Sequence, residues 1–240
     1  MHFYPVFDPT MIILIPAMII SFWAQTKIDS TYSKYSKVRT INGYTGQQVA
    51  RMMLDEAGLF DVRIEVVNTK LGDHYDPSSR ILRLSPDIYA GGTISSAGIA
   101  AHEVGHALQH KEKYKPLIIR NSIVPVVNIS SNISWVLFFI GLLLGFKVLT
   151  MLGIVLFSAV VVFQLITLPV EFDASTRALN ILKSRGILYG DETKNAQKVL
   201  DAAAMTYVAA TLMAVSQLIR LIALSNRDDW RRGRIWIVEN

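Results

Sequence analysis

The chain of 240 residues contains no cysteine, so its fold needs no disulfide. Charge is missing from four long windows, residues 9–26, 121–146, 148–170 and 202–219. Each is long enough to cross about 30 Å of hydrocarbon at about 1.5 Å per residue. No small-residue cleavage pattern follows the first window, so it reads as an uncleaved anchor. Paired charges are almost absent within the windows, which argues against a transport path, with Arg220 as the one candidate. The net charge of +5 gathers around window ends. That placement suits anionic lipid and excludes nucleic acid as the expected partner.

Apolar residues make up 51% of the chain. The surest span is 148–170. The window 121–146 starts polar, with Asn121, Ser122, Asn128, Ser130, Ser131 and Asn132, so its membrane part is expected at 133–149, with a turn at 145–150. The last window carries Thr206, Thr211, Ser216, Gln217 and Arg220, and reads either as a packed span or as an amphipathic surface helix. Four spans place 27–116 and 171–201 on one side. Eleven cationic residues near span ends lie on that side, Lys27, Lys34, Lys37, Arg39, Lys111, Lys113, Lys115, Arg120, Arg177, Lys183 and Arg185, against five on the other, Lys147, Arg227, Arg231, Arg232 and Arg234. The positive-inside rule makes this the cytoplasmic face.

Residues 102–106 read His-Glu-Val-Gly-His. On a helix His102 and His106 project from one face, one turn apart, and neutral imidazoles suit Zn²⁺. Glu103 stands beside the first ligand, placed to take a proton from a zinc-activated water. Residues 94–111 hold no proline, and Thr93 or Ser95 can cap the N-terminus of a helix there. The small residues Ala97, Gly98, Ala100, Ala101, Gly105 and Ala107 allow a second element to approach closely. Upstream, Thr45 to Gln48 spells a capping box for a helix that stops at Gly58. Residues 62–67, 73–75 and 80–84 alternate as short strands around the turn at 76–79. The strand at 80–84 is either the edge that holds a substrate backbone or part of a structural hairpin.

Two histidines and a water leave zinc one ligand short. His110 lies about 12 Å along the helix axis from His102, too far to share the metal. The extended motif with a third histidine is absent, since Gln109 and Glu112 stand at its glycine and histidine positions. His74 reads as a surface histidine. Glu171 is the better candidate, with Asp173 as its substitute: it is the first charge after the surest span, and Pro169 before it suits the first turn of a helix.

The segments His74-Tyr75-Asp76-Pro77, residues 80–86, residues 100–107 and residues 169–175 resemble the neutral zinc metallopeptidases of the YugP-like membrane protease family. The resemblance covers nearly the whole chain. It implies a mainly α, multi-pass membrane protein with a zincin-like α+β domain, a small sheet plus the motif helix, inserted between transmembrane helices. It further implies one Zn²⁺ per chain, His102, His106 and Glu171 as ligands, and Glu103 as acid and base of a gluzincin-type metalloendopeptidase. More distantly, the chain is similar to membrane heat-shock and prenyl-protein zinc peptidases, whose glutamate ligand opens a Glu-x-x-Ala-Asp motif. Ser175 replaces that aspartate here, and Asp173 or Asp76 is expected behind the zinc histidines instead.

The expected organisation is an anchor (1–26), a soluble domain with the motif helix (27–120), a transmembrane hairpin (121–170), a helical segment with the third ligand (171–201), a fourth transmembrane or membrane-associated helix (202–226) and a basic tail (227–240). The expected activity is hydrolysis of peptide bonds in membrane or membrane-proximal proteins, at the cytoplasmic face of the cell membrane. Arg120, Arg177 and Tyr207 are candidate oxyanion donors, with both arginines read first as snorkelling to lipid headgroups. An inert zinc-binding membrane scaffold is the alternative reading.

Overall fold

The computed structural model describes residues 8–69 and 72–238, with side chains to residue 226. The arginines expected to make the tail basic lie outside the described side chains. By its packing the chain divides into two compact units. One comprises Ala24–Asn121 and Thr167–Tyr207; the other takes the chain up to Trp23, Ser122–Ile166 and the chain from Val208 onward.

The first unit begins with the end of helix α1 (Ile15–Tyr35). Helix α2 (Gly46–Glu56) opens on the expected capping box, with the Thr45 side chain accepting from the Gln48 amide and the Gln48 side chain accepting from the Thr45 amide. It ends where Gly58 adopts φ +68°, the left-handed turn that glycine takes without strain. Strands β1 (Arg63–Val66), β2 (His74–Asp76) and β3 (Ile81–Leu84) form a sheet in the order β1-β3-β2. The parallel pairing of β1 with β3 puts β3 in the centre, paired on both sides. It therefore has no free backbone edge for a substrate, and β2 is an edge strand instead.

Helix α3 (Pro86–Ala90), a short turn not expected from the sequence, starts with proline in its first turn. Helix α4 (Ile94–Lys111) carries residues 102–106 and is capped by Thr93, whose hydroxyl accepts from the Ser96 amide. Its apolar face, including Ala97, Ala101 and Val104, packs with Leu54, Leu82 and Leu84 in the core. The same core takes in Ala178 and Leu182 of α6 (Lys147–Ser184) and Val199 and Leu200 of α7 (Asp191–Val238). A Cβ at Gly105 would meet the Ala174 carbonyl oxygen at 2.5 Å, so only glycine lets α4 and α6 approach this closely.

In the second unit, α5 (Lys115–Leu144) and α6 are joined by a turn at Gly145, with φ +77°. The expected span at 133–149 is thus cut at Leu144, and the polar stretch before it is helical. Hydroxyls there return to the helix's own carbonyls, as Ser134 Oγ does to Ser131 O at 3.1 Å. Pro169 is no helix start either: it lies inside α6, which runs through it. Phe138, Ile154, Phe157, Val161, Ala214 and Leu221 form this unit's core. Much of its remaining apolar surface is exposed, Leu143 at 84%. Among the described residues four helices, Pro9–Tyr35, Lys115–Leu144, Lys147–Ser184 and Asp191–Asn226, are long and apolar enough to cross a membrane. Arg220 pairs with Asp8 at 2.9 Å, so this cation is neutralised within the fold.

Candidate metal centre

Helix α4 presents His102 and His106 from one face, and the glycine contact with α6 brings Glu171 onto them. His102 Nε2 lies 3.3 Å and His106 Nε2 3.7 Å from Glu171 Oε2. The ligand atoms of the three residues fall within 4.8 Å of one another, the one such group among the described residues. Glu171 is 2% exposed, and its Oε2 makes no hydrogen bond. A buried carboxylate oxygen without a donor is costly unless a cation fills the place between it and the two imidazoles. The donor set, two nitrogens and one oxygen, suits zinc with a coordination position left open.

The far side of each ring is held. His106 Nδ1 faces Gln109 Oε1 at 3.0 Å. Gln109 is fully buried, and its Nε2 donates at 2.8 Å both to Val170 O and to Asp173 Oδ2. Both N–H groups being used, its oxygen must face the ring, so Nδ1 carries the proton and Nε2 keeps the lone pair that a metal needs. Asp173 also accepts from Arg177 Nε at 2.5 Å, and Arg177 reaches Glu112 at 2.5 Å. His102 Nδ1 meets Ser175 Oγ at 3.1 Å. Burial disfavours charge on the His106 imidazole, but Glu171, Glu103 and Gln109 outweigh it and raise its pKa, so the same surroundings favour a cation at Nε2, whether a proton or a metal.

Several expectations change here. Asp173 lies outside the three-residue cluster and stands behind His106 by way of Gln109, the residue read from sequence only as the wrong one for a longer motif. Asp76 supports no histidine of the cluster; its carboxylate accepts from Ser79 and Ser78 in the turn, which hold it down to about 2. Ser175 reaches His102 Nδ1 with its hydroxyl. The arginines do not extend to lipid: Arg120 Nη2 lies 3.8 Å from Glu171 Oε1, and Arg177 is tied to Asp173 and Glu112. His74 is exposed beside Arg83, and His110 bonds the Tyr75 hydroxyl at 2.9 Å, both away from the cluster.

Glu103 is buried, and its Oε2 accepts from the Tyr75 amide of edge strand β2 at 3.1 Å. No sequence signal announced that contact, because it joins residues far apart in the chain. A cavity of about 340 Å³ opens over the cluster, with His102, Glu103, Glu171, Ser175 and Tyr207 in its wall. The Tyr207 phenol lies against the Glu171 carboxylate.

A mainly helical chain with four helices of membrane-crossing length and a buried His-His-Glu cluster defines a membrane-associated protein with a three-ligand candidate metal centre. It belongs to the family described as "Putative neutral zinc metallopeptidase", whose pattern matches residues 10–226. It is 52% identical over 217 residues to the "Putative membrane protease YugP" of Bacillus subtilis (strain 168), covering 90% of this chain and 96% of that protein. No solved structure matches the chain.

Proposed function

We propose that this protein is a zinc-dependent membrane endopeptidase of the gluzincin type, its first unit being a zincin-like domain at the cytoplasmic face. One Zn²⁺ per chain is held by His102, His106 and Glu171. The observation that carries this reading is Glu171 Oε2, buried without a hydrogen bond between two imidazole nitrogens. Zinc held there would polarise a scissile carbonyl and acidify water. Glu103, next to ligand His102 and fixed by the Tyr75 amide, takes the proton of the attacking water and returns it to the leaving amine. Tyr207, in the cavity wall, would donate to the carbonyl oxygen once its hydroxyl turns from the Glu171 carboxylate. Arg120 offsets the charge of Glu171 from the other side. Substrates are membrane or membrane-proximal polypeptides, in keeping with the relative's name and the four apolar helices.

The test is zinc content and proteolysis of the full chain purified in detergent. Glu103→Gln keeps about one zinc and loses cleavage by about 10³-fold; Glu171→Ala loses both. A wild type that takes up no zinc under metal-replete conditions would sink the proposal. Stoichiometric zinc without cleavage, unaffected by Glu103→Gln, would favour the inert scaffold.

A further inference from the structure

A second cavity, about 740 Å³ and open, lies between α1 and the segment that runs through α3 to the start of α4. It shares Asp29 and Tyr32 with the cavity over the His-His-Glu cluster, so the two adjoin along these side chains, and a groove continuous through both would lead to Glu103. The groove walls contain Asp29, Asp73 and Asp87 and no lysine or arginine. In a chain with 24 Lys and Arg against 19 Asp and Glu, that is the reverse of the average.

Among the described residues of the first unit these three share the lack of an ion pair with Glu103, Glu192 and Asp201. In the same unit Asp55, Asp61, Glu65, Asp76, Glu112 and Asp173 each hold an arginine. Among the described residues, none of the three groove aspartates has an ion pair. Asp29 accepts from the neutral Gln25 amide at 3.0 Å, and Asp73 accepts from the Ser85 amide at 2.7 Å and its hydroxyl at 3.1 Å. Those bonds orient Asp29 and Asp73 without pairing either with a lysine or arginine, His74 being the cation nearest in effect to Asp73, and Asp87 stands exposed. Burial pushes the Asp73 carboxyl up, a desolvation that an arriving cation relieves. The three do not converge as metal ligands do, since His102, His106 and Glu171 are the one such group among the described residues. Charges spread along a groove fit side chains spread along an extended peptide.

We propose that this groove binds a cationic stretch of substrate polypeptide, with lysine or arginine side chains received by Asp29, Asp73 and Asp87 and the Tyr32 ring between them. Membrane proteins supply such stretches, because the segments flanking their spans on the cytoplasmic side are enriched in lysine and arginine. The inference rests on the peptidase reading for the fate of the bound chain, but binding can be measured apart from cleavage.

The experiment uses the full chain in detergent, zinc-loaded and carrying Glu103→Gln, with two fluorescent peptides that differ only in having lysine and arginine or glutamine at the same positions. Anisotropy gives a Kd about tenfold lower for the cationic peptide at low salt. The preference shrinks toward unity in about 0.5 M salt, because partly exposed pairs are screened. The double variant Asp29→Lys with Asp87→Lys abolishes or reverses it, whereas Asp61→Asn, outside the groove, leaves it in place. Equal affinity for the two peptides, or a preference that survives high salt and charge reversal, overturns the proposal. Should the double variant fail to fold, the salt titration of the parent protein decides alone. Binding selectivity without cleavage by the wild type would refute the peptidase reading and leave the groove standing; cleavage of both peptides at equal kcat/KM would do the opposite.

Discussion

The two units use the same aliphatic residues in opposite ways. In the unit that holds the candidate metal centre, Leu54, Leu82 and Leu84 are fully buried. In the apolar unit Leu143, Val148 and Val155 point outward. Water explains the first arrangement, since apolar surface leaves it for the core. The second needs a hydrocarbon surrounding, in which exposed leucine costs nothing and helices associate through close backbone contact and polar bonds. Gly141, backed by Thr150, and Gly153, backed by Phe138, supply such contact between α5 and α6. The difference teaches that burial alone does not rank residues in this chain; the surrounding solvent must be named first.

The comparison can be broken most severely in the water-facing unit. Leu82→Ala, at a fully buried central-strand position, is expected to cost about 2–5 kcal/mol in denaturant unfolding of the detergent-solubilised chain. Gly105→Ala comes next, at about 1–3 kcal/mol, because its Cβ must push Ala174 and Glu171 away from the histidines. Zinc per chain falls with it, whereas Gly98→Ala, whose Cβ would stand 3.6 Å from that of Ala196, keeps full zinc. Gln109→Leu fills the same space without fixing the His106 proton and weakens zinc binding by about 10–100-fold in chelator competition. Thr45→Ala removes the capping box, for about 1 kcal/mol in the same unfolding assay. The smallest effect is at Leu143: Leu143→Ala shifts unfolding in detergent by less than about 0.5 kcal/mol. A loss at Leu143 as large as at Leu82 would mean that the apolar face is covered by protein and not by lipid or detergent.

Much of the local structure was legible because its causes are local. The capping box at Thr45, the stop at Gly58, the Thr93 cap and the helical spacing of His102 and His106 all depend on residues within one or two turns. Glu171 was legible for a different reason: a carboxylate just past an apolar run, in a chain whose motif lacked one ligand. What stayed hidden depends on residues distant in sequence. The strand at 80–84 could not be recognised as central, because its parallel partner joins it across the turn and β2. Pro169 misled because a proline in water ends or starts a helix, whereas within a long apolar helix packed by neighbours the lost hydrogen bond is tolerated. Arg120 and Arg177 near span ends promised lipid contact, and tertiary packing gave them carboxylates.

The sequence by itself determined the groups available to this protein: a histidine pair at one-turn spacing, a glutamate beside it, apolar helices of membrane length and no disulfide. These follow from residue type and periodicity, which short-range physics reads directly. Only the tertiary structure decided how these groups are assembled: Gly105 admitting α6, Glu171 brought onto both imidazoles, Gln109 fixing one proton, the Tyr75 amide holding Glu103, and three aspartates left without arginines along two adjoining cavities. Those outcomes rest on backbone approach and on which buried polar groups find partners, and both are settled only when distant segments of the chain pack together.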